Sequence, residues 1–312
     1  MRDAATIDDY HPETVYFERR LNAFGPQALE LEVAGIRARL EGLSSEQKSQ
    51  LAARYGVFAR RDASPAPDLV VSVRHADRTE FLKLRVGGVS ETYRLLTRFE
   101  GEDLLAWSYE WAALVRFDGH AATLAAASSD RAIFDRCIEN FLRVAFAHLA
   151  LARGGVLMHA AGVVRNGRAY VFFGPSGSGK TTTTLMSAGD LVLSDDLLMI
   201  VRDGAGFAAT SVPFRGLVTP GATTNSRYPL AGLFRLVQDD RDFLEDLGRP
   251  QAVGQIVQSL PFVTDRAESA PRILDVVSEM AFATPVKKLH FRKDPGFWRI
   301  VENVGGSAAE AP

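Results

Sequence analysis

The stretch Ala169 to Thr184, AYVFFGPSGSGKTTTT, constrains this chain more than any other. An apolar run entering a glycine-rich turn predicts a buried strand, and the lysine and threonines leaving it predict a helix. Gly174, Gly179, Lys180 and Thr181 fit the spacing G-x-x-x-x-G-K-[ST]. Between a strand and a helix, such a loop turns its backbone N–H groups toward a β-phosphate. Lys180 then reaches the β and γ oxygens, and the Thr181 hydroxyl faces Mg²⁺. The nucleotide-binding set is Gly174, Pro175, Ser176, Gly177, Ser178, Gly179, Lys180, Thr181 and Thr182, and the expected ligands are ATP or GTP with Mg²⁺.

Asp195 and Asp196 follow the apolar run Leu191 to Leu193. A carboxylate at a strand end beside the loop suits Mg²⁺, which takes oxygen ligands. One aspartate suffices for that, so the second is free to accept the proton of an attacking hydroxyl. His159 sits on the strand before the turn RNGR; if that strand lies beside the loop strand, His159 ends close to the acidic pair.

Residues 1 to 150 read as an α+β region, suited to binding a substrate or partner. Helices are expected in GPQALELEVAGIRARLEGL and SSEQKSQLAARYGVFAR, the second starting from a capping box at Ser44 or Ser45. After RRDASPAPD the period changes to two, and DLVVSVRHA, TEFLKLRVGG, ETYRLLTRFE, DLLAWSYEWA and ALVRFDGHAATLAAA predict an antiparallel meander. A long helix capped by Ser129 or Asp130 then runs to Gly154 and Gly155. Residues 151 to 300 carry the loop: a hairpin at Asn166 and Gly167, the loop helix with Gly189 as its stop, and the strand LVLSDDLLMIV. Further strands are expected near GFAATSV, LFRLVQ and VKKLHFRKD, and helices in QAVGQIVQSL and RILDVVSEM. Residues 301 to 312 read as a flexible tail.

Charge excludes some partners. The 36 basic and 38 acidic residues are spread without blocks, so neither nucleic acid nor an anionic membrane is expected to bind. The N-terminal twenty residues are polar and acidic, unlike a signal peptide, and FLRVAFAHLALARGGVLMHAAGVV is broken by charges and glycines, so the expected location is the cytoplasm. Cys137 is the single cysteine; it cannot form an internal disulfide and reads as a small core residue. The sequence leaves a homo-oligomer open.

Taken together, MHAAGVV, GPSGSGKTT and VLSDD, with PFRGLVTPG and the closing PVKKLHFRKD, resemble the catalytic domain of HPr kinase/phosphorylase and its serine-kinase relatives, which share a phosphate-loop fold with phosphoenolpyruvate carboxykinase. The resemblance covers about Gly155 to Asp294. It implies an α/β mixed-sheet P-loop kinase domain behind a helix plus antiparallel-sheet region. It also implies ATP-dependent transfer to a hydroxyl, that of a serine in a protein or peptide or of a small molecule. By the same resemblance Lys180 is catalytic, His159 assists, Asp195 is the base and Asp196 lies on the metal side with Thr181, an order that could be reversed; Arg215 lies at the site edge. The family's downstream signature for the reverse reaction is not found in LGRPQAVGQ, so phosphorylase activity is not expected. A nucleotide-binding regulatory module with little turnover is the alternative from a different class.

Overall fold

Alternation of apolar residues decides the first element. Leu29, Leu31 and Val33 are buried, and so are Ile36, Ala38 and Leu40, with Ala34 and Gly35 at positive φ between them. Residues 27–43 therefore form a hairpin of strands β1 (Gln27–Val33) and β2 (Ile36–Leu43), not the expected helix. The same residues also satisfy three- and four-residue spacing, but period two buries one whole face of a strand pair. The computed structural model describes residues 14–17, 21–60, 66–76, 94–214, 216 and 224–306. It divides into two compact units, Met1–Phe146 and Ala147–Pro312, with the division inside a helix.

In the first unit Ser44 caps helix α1 (Ser45–Tyr55) through a complete capping box with Gln47. Strands β3 (Ala59–Arg60), β4 (Leu69–His75), β5 (Leu96–Glu100), β6 (Asp103–Ser108), β7 (Trp111–Arg116) and β8 (Ala121–Ala126) follow. The sheet runs β3-β1-β2-β4-β8-β7-β6-β5. Only β5 to β8 form the expected meander; β4 lies parallel to both β2 and β8, so the sheet is mixed. The cause is the crossover through α1, which returns the chain in the direction of β2. All of TEFLKLRVGG and the start of ETYRLLTRFE lie outside the described residues. Helix α2 (Arg131–Ala152) is capped by Asp130, whose Oδ1 accepts from Ala132 and Ile133 N–H. It buries Cys137, whose thiol pKa is pushed up by burial.

The second unit is organised around β9 (Val156–Arg165), which turns through Asn166 and Gly167, both at positive φ, into β10 (Arg168–Phe173). The other edge of β9 carries two short strands in line: β11 (Leu191–Ser194) on its second half and β12 (Leu197–Asp203) on its first. Strand β13 (Gly206–Thr210) links β12 to the start of β14 (Tyr228–Gln238). Strand β14 runs parallel to β10 and to β16 (Val286–Phe291), and β15 (Phe243–Asp246) closes the edge against β16. Helices α3 (Lys180–Leu185), α4 (Arg249–Val257), α5 (Ala270–Ala283) and α6 (Trp298–Gly306) complete the α/β unit.

Residues 301–306, expected in the tail, are the second part of α6. Trp298 and Val301 recur at helical spacing and sit in the core with Phe172, Phe234, Phe291 and Phe297, which fixes the helix in place. Among the described residues no helix is long and apolar enough to cross a membrane.

Candidate functional site

The loop leaves β10 at Phe173 and enters α3 at Lys180. Gly179 has φ 109°, and a Cβ there would stand 2.6 Å from the Phe291 ring, so no side chain fits. At Gly174 a Cβ would lie 2.9 Å from Ser178 Oγ, while at Gly177 nothing lies within 4 Å. The loop is thus tight against the sheet at its ends and open at its tip. Gln238, at the end of β14, donates to the Gly177 carbonyl at 2.7 Å and holds the tip. Ser178 Oγ is buried with no partner among the described residues. An orphaned hydroxyl inside a cradle of glycines fits an anionic ligand with acceptor oxygens.

Lys180 is buried, and its Nζ donates back to the carbonyls of Gly174 (2.9 Å) and Pro175 (3.2 Å). Burial lowers its pKa, opposed by the charge of Asp196. Farther along α3, Thr183 and Thr184 spend their hydroxyls on the carbonyls of Lys180 and Thr181. Among the described residues the Thr181 hydroxyl makes no such bond, so it fits the expected role toward Mg²⁺. Ser187 Oγ accepts from Trp298 Nε1 at 3.1 Å, which ties the end of α3 to α6.

The acidic pair occupies the gap between β11 and β12. Ser194 Oγ accepts from the N–H groups of Asp196 and Leu197, both at 3.1 Å, and the Asp196 carbonyl accepts from Ala160 N–H at 2.9 Å. This break in the ladder turns the two carboxylates differently. Asp195 is only 3% exposed, whereas Asp196 Oδ1 meets His159 Nε2 at 3.4 Å with both side chains partly exposed. The sequence expectation set His159 close to the acidic pair; the structure sets it beside Asp196, because His159 is the ladder partner of Leu197 and Asp196 adjoins that pair. The His159 pKa is lowered, first by burial and then by the Lys180 charge, with Asp196 opposing. Lys180, His159 and Asp196 therefore share one electrostatic neighbourhood at the mouth of the loop.

Arg215 lies outside the described residues. Among the described residues there is no cluster of three or more His, Cys, Asp or Glu arranged to hold a metal. Magnesium at a phosphate site takes many of its ligands from phosphate oxygens and water. Sequence reasoning missed Gln238 and Ser194. Ser194 was legible as a side-chain cap of the SDD turn, but Gln238 reaches the loop only through the sheet, for which no local signal exists.

A family model described as ScmC, SynChlorMet cassette protein ScmC, matches residues 124–304, more than half of the chain. No curated protein matches the chain.

Proposed function

The chain belongs to the ScmC family of SynChlorMet cassette proteins, and we propose that it is an ATP-dependent kinase with a P-loop fold of the HPr kinase/carboxykinase type, transferring phosphate to the serine hydroxyl of a protein or peptide. The observation that carries this reading is the His159–Asp196 pair, 3.4 Å apart, beside Lys180 at the mouth of the loop. A module that only holds a nucleotide needs the loop and its lysine. A partly exposed carboxylate oriented by an imidazole is what phosphate transfer to a hydroxyl adds.

In this reading the loop N–H groups and Lys180 hold the phosphates of ATP, and Lys180 leaves the carbonyls of Gly174 and Pro175 for phosphate oxygens. Thr181 would hold Mg²⁺, which when bound offsets charge on the phosphates. The acceptor oxygen bonds to the terminal phosphorus, the bond from that phosphorus to the bridging oxygen breaks, and ADP leaves. The hydroxyl proton goes to Asp196, which His159 orients. Asp196 replaces Asp195 as base because a base must come within hydrogen-bond reach of the acceptor, and Asp195 is buried.

The test is incubation with γ-labelled ATP and panels of serine peptides, protein acceptors and small hydroxyl compounds. Label retained on a peptide or protein by the wild type and lost in Asp196→Asn supports the reading. Transfer only to small hydroxyls redirects the acceptor class. Saturable ATP binding with neither transfer nor ADP release sinks the kinase in favour of a regulatory nucleotide-binding module.

A further inference from the structure

Strand β14 carries an arginine to the root of the phosphate loop. In the parallel ladder Arg235 is the partner of Phe173, the residue before Gly174, and adjacent strands lie about 4.8 Å apart. Its Nη1 donates to the Leu236 carbonyl at 3.4 Å. That same carbonyl oxygen lies 3.6 Å from the place a Cβ on Gly174 would take. Lys180 also reaches Gly174, its Nζ meeting the Gly174 carbonyl at 2.9 Å. Two cations thus lie near the first residue of the loop.

Among the described residues both donate only to neutral oxygens. Lys180 donates to two carbonyls, and Arg235 donates through Nε to the side-chain oxygen of Gln255 and through Nη1 to Leu236. Arg54, Arg165 and Arg202, by contrast, each meet a carboxylate. Among the described residues Arg235 makes no ion pair. A half-buried guanidinium held by an amide loses hydration without gaining an anion, which suits a group kept for a ligand. Its anchor is part of the site: Ser259 Oγ donates to the Gln255 carbonyl at 3.3 Å, and the Ser259 carbonyl accepts from His159 N–H at 2.8 Å.

We propose that Arg235 is the second cation of the site and binds the terminal phosphoryl group, exchanging the Gln255 amide for phosphate oxygens. The proposal rests on the reading of the loop as an ATP site. The loop N–H groups and Lys180 take the β-phosphate, and the guanidinium, at the root of the loop and outside that ring of donors, meets oxygens that project beyond it. A planar fork of donors suits a phosphoryl group in two-point contact, which lysine cannot reproduce.

Calorimetric titration of the full chain with MgATP and with MgADP tests it. Arg235→Met should weaken MgATP binding by about ten- to a hundred-fold, the worth of charge-assisted hydrogen bonds, and leave MgADP within about twofold. Arg235→Lys, which keeps the charge and loses the fork, should fall between wild type and Arg235→Met. If Arg235→Met lacks a cooperative melting transition, Arg235→Gln carries the same comparison. Equal weakening of both nucleotides, or no weakening of either, overturns the proposal while the ATP-site reading stands. A wild type that binds neither nucleotide overturns both.

Discussion

His159 Nε2 lies 3.4 Å from Asp196 Oδ1, while Asp195, its neighbour in the chain, is buried. The difference arises where β11 stops and β12 begins, and Ser194 holds that break by accepting two N–H groups. Two identical side chains in sequence thereby receive different environments, and different environments give different chemistry.

Substitution of the two aspartates should separate those environments. Asp196→Asn should keep MgATP affinity within about twofold and slow single-turnover transfer by about 10² to 10⁴, the worth of a general base. Asp195→Asn should act on the fold, lowering the melting temperature while changing transfer less than Asp196→Asn does. Loss of MgATP affinity in Asp196→Asn would return that residue to the metal side, the order read from sequence.

His159 offers a check with a definite sign. Burial and the Lys180 charge both hold its pKa below the ordinary 6.5, and Asp196 works against them. Lys180→Met should therefore move the His159 titration upward, and Asp196→Asn should move it further down. Carbon-resolved NMR of the imidazole Cε1–H across pH reads both movements. A downward movement in Lys180→Met would show that the two groups do not share a site.

The loop residues should fail in distinguishable ways. Lys180→Ala should remove about 2 to 4 kcal/mol of phosphate stabilisation, as for one electrostatic donor in a water-poor site. Thr181→Ala should lose activity that raised Mg²⁺ restores. Turnover measured over a range of Mg²⁺ concentrations decides; identical Mg²⁺ dependence in both variants would remove the metal role of Thr181.

What could be read from sequence was local. The strand, glycine loop and helix around Gly174 to Thr181, the capping box at Ser44 and the turn at Asn166 and Gly167 each depend on residues within a few positions of one another, and each is present. Residues 27–43 failed because Leu29, Val33, Ile36 and Leu40 satisfy both periods, and pairing with β4 and β3 decides between them. Arg235 carried no signal at all, since only the parallel pairing of β10 with β14 brings it to Gly174. The facing of Asp195 and Asp196 likewise depends on their register against β9.

A second histidine makes acid stability predictable. His148 lies in α2, and burial lowers its pKa to about 4, against the smaller opposing effects of a backbone bond with Phe262 and the charge of Asp265. In the unfolded chain the same imidazole titrates near its ordinary value of about 6.5. Between those two values the unfolded state binds more protons than the folded state, so stability falls as pH falls, and the loss is complete below about pH 4. A tenfold difference in proton affinity between the two states is worth about 1.4 kcal/mol, which bounds the contribution at about 3.5 kcal/mol. His148→Asn removes the titration at the expense of a buried hydrogen bond worth about 1 kcal/mol. At pH 8 the variant should therefore be the less stable protein, and near pH 5 the order should narrow or reverse. Urea unfolding of both proteins at intervals from pH 8 to pH 4.5 measures the difference directly. Parallel stability curves over that range would mean that His148 is as easily protonated in the folded chain as in the unfolded one.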